Sequence, residues 1–63
     1  DERGVAAARR SLDDDAPLVR AAAVWAFSRL APPALYAVER AERIAAEPDP
    51  AVREEWQRGP AQP

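Results

Sequence analysis

The chain has 63 residues, a formal net charge of −2, sixteen alanines, seven prolines and no cysteine, histidine or methionine. A chain of this length buries only about 60% of the surface that its unfolded form exposes, so it makes one small domain or part of a larger one. Because cysteine and histidine are missing, a disulfide framework, a thiol nucleophile, an imidazole base and the usual zinc sites are excluded.

The first predicted helix covers about residues 2–12, where Val5, Ala8 and Leu12 fall three and four residues apart on one face. Three consecutive aspartates at 13–15 follow it. Acidic side chains are unfavourable at the negative C-terminal end of a helix dipole and favourable just before a helix begins. The aspartates therefore belong to the start of the next helix.

The second predicted helix covers 17–31, with Pro17 in its first turn and Ala16, a weak N-cap, before it. It is apolar around most of its circumference, which indicates that it is covered on more than one side. Its predicted inward stripe is Val19, Ala22, Ala23, Ala26 and Leu30, widened by Phe27, and Leu18 with Trp25 forms a second stripe.

Pro32 and Pro33 break the chain, and a third helix is predicted over about 33–46. Proline suits the first turn of a helix, where its missing N–H would have no partner. The predicted inward residues of this helix are Leu35, Val38, Ala41, Ile44 and Ala45.

A short fourth helix is predicted over about 50–58, because Asp49 is a good N-cap that precedes a proline. Val52 and Trp56 lie four residues apart on one face of it, and Trp56 is predicted to cover the open end of the core. Residues 59–63 are predicted to form a disordered tail.

The sequence matches itself when it is shifted by the distance from residue 5 to residue 38, which we call the repeat period. This shift superimposes Val5 on Val38, Ala8 on Ala41, Arg10 on Arg43, Pro17 on Pro50, Val19 on Val52 and Arg20 on Arg53. The predicted fold is therefore all-α: an α–α superhelix of two stacked antiparallel hairpins, with a module over 1–58 that consists of units at about 1–31 and 33–58. Since repeat arrays generally need three or more units, we expect a fragment of a larger solenoid or enzyme, with the face of residues 2–12 docked on further structure.

The segments 12–23 (LDDDAPLVRAAA) and 47–53 (EPDPAVR) resemble HEAT-like repeats of the short kind found in phycobilin-lyase-type proteins. In that family an acidic residue lies six positions before the arginine of a Val-Arg pair, and both side chains join a ladder of hydrogen bonds between successive repeats. The resemblance implies this structural ladder for Asp14, Arg20, Glu47 and Arg53. An ankyrin repeat is the weaker alternative, because its histidine and glycine-rich turn are missing.

A narrower resemblance rests on residues 19–30 (VRAAAVWAFSRL) and 49–56 (DPAVREEW). They are similar to the C-terminal HEAT-like region of bacterial tRNA epoxyqueuosine reductase, although Phe27 and Ser28 depart from its usual leucine and glycine. That enzyme is a cobalamin- and iron–sulfur-dependent oxidoreductase of queuosine biosynthesis, and its catalytic acid and cluster cysteines lie upstream of the repeats. The resemblance implies a module with no catalytic residue and no cofactor of its own, which helps to position tRNA.

The predicted RNA- or partner-binding residues are Arg20, Arg29 and Arg53, because arginine makes bidentate contacts with oxyanions. The alternative for Arg20 and Arg53 is the structural ladder. Further candidates for a partner surface are Arg9, Arg10, Arg40 and Arg43, although Glu39 partly neutralises Arg43 at i,i+4 spacing.

No metal site or catalytic pair is predicted. The aspartates at 13–15 are expected to be solvated caps, and the pairs Glu39 with Glu42 and Glu54 with Glu55 are expected on exposed helical faces. Trp25 and Phe27 are expected to pack between repeats, in preference to stacking on bases.

Two other functions stay open at this point: a protein-binding HEAT-repeat scaffold, and a phycobilin lyase-type chaperone. The pI of about 5.0 argues against nucleic-acid binding by this chain alone, so tRNA would bind through a parent enzyme and its upstream domain. No run of about 18 apolar residues and no signal-peptide pattern is found, which predicts a cytoplasmic protein without a membrane partner.

Overall fold

Four α-helices follow one another in the computed structural model, which describes residues 2–59. They are α1 (Glu2–Ser11), α2 (Pro17–Leu30), α3 (Pro33–Arg43) and α4 (Pro50–Arg58). The described residues contain no strand, so the predicted all-α class is confirmed. The superhelical stacking of two units stays a prediction.

The helix bounds agree with the predictions to within one residue, except in α3. This helix ends three residues earlier than predicted, and a turn covers residues 44–46. Gly59 follows α4 with a φ of 76°, a left-handed conformation that favours glycine. The rest of the predicted disordered tail, residues 60–63, lies outside the described residues.

The starts of α2 and α4 are held in different ways. Asp49 is the N-cap of α4, as predicted, and its carboxylate accepts hydrogen bonds from the backbone N–H groups of Ala51 at 2.9 Å and Val52 at 3.3 Å. Ala16 has no side-chain cap to offer α2. The Asp14 carboxylate accepts a hydrogen bond from the N–H of Ala16 at 2.9 Å, which holds the loop before the helix.

We expect Asp49→Ala to lower the free energy of unfolding by about 1 kcal/mol, because two N–H groups at the start of α4 lose their acceptor. Thermal melting followed by circular dichroism measures this change. Asp15→Ala is the control, since Asp15 is exposed and caps no helix. Equal losses in the two variants would contradict the capping role of Asp49.

The core forms around α2, which packs against both α1 and α4. Its buried apolar side chains are Ala8, Leu12, Ala23, Val24, Phe27, Tyr36, Val52 and Trp56. The ring centroids of Tyr36 and Trp56 are 5.5 Å apart, and the Phe27 ring stands edge-on to Trp56 at 6.4 Å. The inward orientation predicted for Ala8, Leu12, Val52 and Trp56 is confirmed.

The inward stripe predicted for α2 is partly wrong. Ala23 and Phe27 are buried as predicted, but Val19 and Leu30 are 40% and 44% exposed, and Val24 is buried in their place. Because almost every side of α2 is apolar, its periodicity does not select an inward face. The positions of α1 and α4 select it.

The second predicted stripe of α2 is exposed among the described residues. Leu18 is 83% exposed and Trp25 is 52% exposed. The expectation that Trp25 packs between repeats is therefore not met within residues 2–59. Exposed apolar side chains of this size are typical of contact surfaces when they lie together.

The inward face predicted for α3 is also partly wrong. Val38 is 54% exposed, and Ala41 and Ala45 are exposed as well, whereas Tyr36 and Glu39 are buried. Leu35 and Ile44 do pack partly against the core. Polar contacts with other helices accompany this rotation of α3, since Tyr36 donates to the Trp56 carbonyl on α4 and Glu39 pairs with Arg9 on α1.

Candidate functional site

The first polar cluster joins the start of α2 to the loop before α4. Arg20 donates through Nε to Glu47 Oε1 at 2.9 Å and through Nη2 to Glu47 Oε2 at 2.8 Å. Glu47 Oε2 also accepts the N–H of Asp49 at 2.9 Å. The hydrogen bonds from Arg20 hold the pKa of the Glu47 carboxyl below its ordinary value. This bidentate pair ties the first turn of α2 to the loop before α4.

The same backbone contact is made by Arg20 and by Arg53. Arg20 Nη1 donates to the carbonyl of Asp14 at 2.9 Å, and Arg53 Nη1 donates to the carbonyl of Glu47 at 2.8 Å. Each acceptor lies six residues before its arginine. The Asp14 carboxylate does not pair with Arg20, because that guanidinium reaches the carbonyl of Asp14 and the side chain of Glu47.

The second polar cluster lies between α1 and α3 and centres on Glu39. Its carboxylate is 2.6 Å from Arg9 Nη2 and 2.6 Å from Arg43 Nε, while Arg43 Nη1 is 2.7 Å from Asp13. The hydrogen bond from Arg43 lowers the pKa of Glu39 and also that of Asp13. The expected exposure of Glu39 is therefore wrong. Arg9, whose side chain is 53% exposed, and Arg43 both form ion pairs with it.

A third contact holds the last turn of α4. The hydroxyl of Tyr36 donates to the carbonyl of Trp56 at 3.0 Å, and Arg40 Nε donates to the same oxygen at 2.9 Å. A carbonyl in the last turn of a helix has no intrahelical partner, so these two donors from α3 satisfy it. Burial raises the pKa of the Tyr36 hydroxyl, which keeps it a donor.

The three predicted binding arginines do not form one surface. Arg20 and Arg29 are nine residues apart, which is two and a half helical turns, so they lie on opposite sides of α2. Arg29 is exposed, and its guanidinium carbon is 4.8 Å from the centre of the exposed Trp25 ring. Arg53 is exposed but uses Nη1 in its backbone contact.

The sequence did not predict the burial of Glu39, nor the contacts of Arg9 and Arg40. The i,i+4 spacing of Glu39 and Arg43 did predict their ion pair, which is confirmed at 2.6 Å. No local signal marks the contact of Arg9 with Glu39 or of Arg40 with the Trp56 carbonyl, because both depend on how separate helices meet.

An open groove of 720 Å³ lies beside α1, at the junction of α2 and α3. Apolar side chains and the ion-paired arginines line it together: Val5, Ala6, Leu30, Leu35, Arg9 and Arg43.

Residues 2–59 contain no group of three histidine, cysteine or acidic side chains placed to hold a metal ion. No helix in this part of the chain is long and apolar enough to cross a membrane.

Comparison with protein-family models, with curated proteins and with solved structures finds no match to this chain.

Proposed function

We propose that this chain is a non-catalytic, HEAT-like module at the C-terminal end of a tRNA epoxyqueuosine reductase, where it helps to position tRNA. The observation that carries this proposal is the contact that recurs in two successive units. Arg20 and Arg53, which are one repeat period apart, each donate from Nη1 to the carbonyl six residues earlier. Equivalent contacts at a fixed sequence period are typical of structural repeats, and the period supports the resemblance to HEAT-like units.

The role in tRNA positioning is assigned to Arg29. Its exposed guanidinium faces the Trp25 ring, and no carboxylate within the described residues pairs with it. An exposed guanidinium that is not paired with a carboxylate is available to bind phosphate oxygens. The net charge of −2 makes the contribution auxiliary, so most of the binding energy would come from the rest of the enzyme.

We expect Arg29→Gln in the complete enzyme to weaken tRNA binding about fivefold and to lower the salt dependence of binding by about one phosphate contact. Arg29→Lys keeps the charge and should retain most of the affinity. Filter binding or fluorescence anisotropy at several salt concentrations measures both variants.

The matched control for this experiment is Arg58→Gln, because Arg58 is exposed but lies beside Glu54 and Glu55 on α4 at 3.6 and 3.5 Å. We expect it to leave tRNA affinity unchanged. An Arg29→Gln enzyme with wild-type affinity and an unchanged salt slope would remove the tRNA role.

A protein-binding scaffold is the second candidate, and the outer face of α3 favours it. This face is an exposed apolar stripe at helical spacing: Ala34, Val38 and Ala41. Val38→Glu distinguishes the two functions, since it would disrupt a protein contact on α3 and leave tRNA affinity unchanged.

A further inference from the structure

The groove beside α1 is a concave site that the proposed function does not use. Its walls are α1 and α3, whose backbones stay apart over most of their length, and the polar cluster centred on Glu39 bridges the two helices. We call it the α1–α3 groove, and its volume is 720 Å³. Concave sites of about 300–1,000 Å³ accommodate small organic ligands, so this groove is large enough to hold one.

One part of the α1–α3 groove is apolar. Its apolar lining residues are Val5, Ala6, Leu30, Pro32 and Leu35. Val5 and Leu35 are partly buried because they pack against the core on one side, and Leu30 is 44% exposed. An alkyl chain laid over these side chains would remove their remaining apolar surface from water, which is favourable.

The rest of the groove carries an unpaired positive charge. Arg9 and Arg43 are already paired with carboxylates of the fold. Arg10 also lines the groove, but it is exposed, and no carboxylate of residues 2–59 pairs with it. Arg9 uses only Nη2 in its ion pair and its side chain is 53% exposed, so its other N–H groups are open to a second acceptor. The groove thus offers donors to one anionic group.

The acidic lining residues limit which anion fits. Glu2 lies eight residues before Arg10, about 12 Å away along the helix axis, and Asp13 follows the end of α1. Both carboxylates would repel a ligand with several negative charges, such as a nucleotide. The lining therefore favours a ligand with a single anionic group joined to an apolar chain.

We propose that the α1–α3 groove binds a medium-chain fatty acid as the free monocarboxylate. The Arg10 guanidinium donates two hydrogen bonds to the carboxylate, in the fork geometry that arginine offers to this group. The alkyl chain lies against Val5, Leu30 and Leu35. This inference goes beyond the proposed function and depends neither on the repeat nor on tRNA.

Isothermal titration of the complete chain with sodium decanoate, below its micellar concentration, tests the proposal. We expect saturable binding of one decanoate per chain, with a dissociation constant of about 0.2 mM. Decyltrimethylammonium has an alkyl chain of the same length but a cationic head, and it should bind at least about tenfold more weakly. No saturable binding of decanoate, or equal affinity for the two amphiphiles, would overturn the proposal.

Arg10→Gln tests the contact with the carboxylate. It should weaken decanoate binding about tenfold, because the charged donor of two hydrogen bonds is lost. Arg3→Gln is the matched control, since Arg3 is an exposed arginine of the same helix that does not line the groove. It should change the affinity less than about twofold. Equal effects of the two substitutions would contradict the role of Arg10.

Ala6→Glu tests the groove independently of Arg10. It should weaken decanoate binding about tenfold or more, because a carboxylate would stand in the apolar part of the groove and repel the ligand. Ala7→Glu is the matched control, because Ala7 is exposed on α1 but does not line the groove. It should leave the affinity within about twofold. A loss of binding in Ala7→Glu as large as that in Ala6→Glu would overturn the assignment of the site.

Vesicles of phosphatidylglycerol distinguish a free fatty acid from a membrane surface. They should not bind the chain, since the groove is concave, Glu2 and Asp13 lie at it, and the net charge is −2. Binding to these vesicles without binding of decanoate would overturn the proposal. The tRNA titration is a separate outcome, because Arg29 does not line the groove. Loss of the tRNA role with intact decanoate binding would leave this inference standing.

Discussion

Replacing Trp56 with alanine is expected to lower the free energy of unfolding by about 4 kcal/mol, which is comparable to the whole stability of a domain of this size. The side chain is 1% exposed and its ring contacts the rings of Phe27 and Tyr36. Its removal leaves a large cavity where α2, α3 and α4 meet. Far-ultraviolet circular dichroism at room temperature should therefore show a chain that is largely unfolded.

Trp25→Ala is the matched control for this experiment, because it removes the same side chain from an exposed position. Trp25 is 52% exposed, and its one ring contact is with Arg29. We expect a change within about 0.5 kcal/mol. A larger loss for Trp25→Ala than for Trp56→Ala would contradict the assignment of Trp56 to the core.

Acid is expected to destabilise the fold through its buried carboxylates. Arginine hydrogen bonds lower the pKa of Glu39 and of Glu47 in the folded chain below the ordinary value of 4.5. Each carboxylate therefore contributes stability that is fully present above pH 4.5 and is lost as the pH falls through its folded pKa. The urea midpoint should be level between about pH 7 and pH 5 and should decrease at lower pH.

Glu39→Gln should cost about 2 kcal/mol at neutral pH, because Arg9 and Arg43 lose a charged acceptor between α1 and α3. The variant should also lose part of the acid dependence, since one of the two buried carboxylates with a lowered pKa is gone. Urea unfolding at several pH values measures both effects. Glu42→Gln is the control on the same helix, because Glu42 is exposed. An acid dependence that is unchanged in Glu39→Gln would contradict the assignment.

The helices and their starts were predictable because their signals are local. Pro17, Pro33 and Pro50 begin their helices where expected, and Asp49 caps α4, since each effect involves residues within one turn. The i,i+4 pair of Glu39 and Arg43 was predictable for the same reason. The early end of α3 was not, because Ala45 and Ala46 are strong helix formers and the local sequence favours a longer helix.

The buried faces were harder to predict than the helices. In α2 the apolar residues surround the axis, so Val24 could be buried and Val19 exposed without any change in periodicity. In α3 a buried carboxylate and hydroxyl oppose the hydrophobic pattern, and Val38 is turned outward while Glu39 is turned inward. Their burial is favourable because Arg9 on α1 and Arg43 on α3 pair with Glu39, and the Trp56 carbonyl accepts the hydrogen bond of Tyr36.

The amino-acid sequence by itself determined that the chain is helical, where each helix begins, and that the Val-Arg pairs recur at a fixed interval, because these properties depend on neighbours along the chain. Only the tertiary structure decided which face each helix buries and which arginines are engaged. Arg20 reaches Glu47 and Arg9 reaches Glu39, partners that are distant along the chain, whereas Arg29 stays at the surface. A hydrogen bond between separate helices depends on their relative position and rotation, which no local pattern specifies.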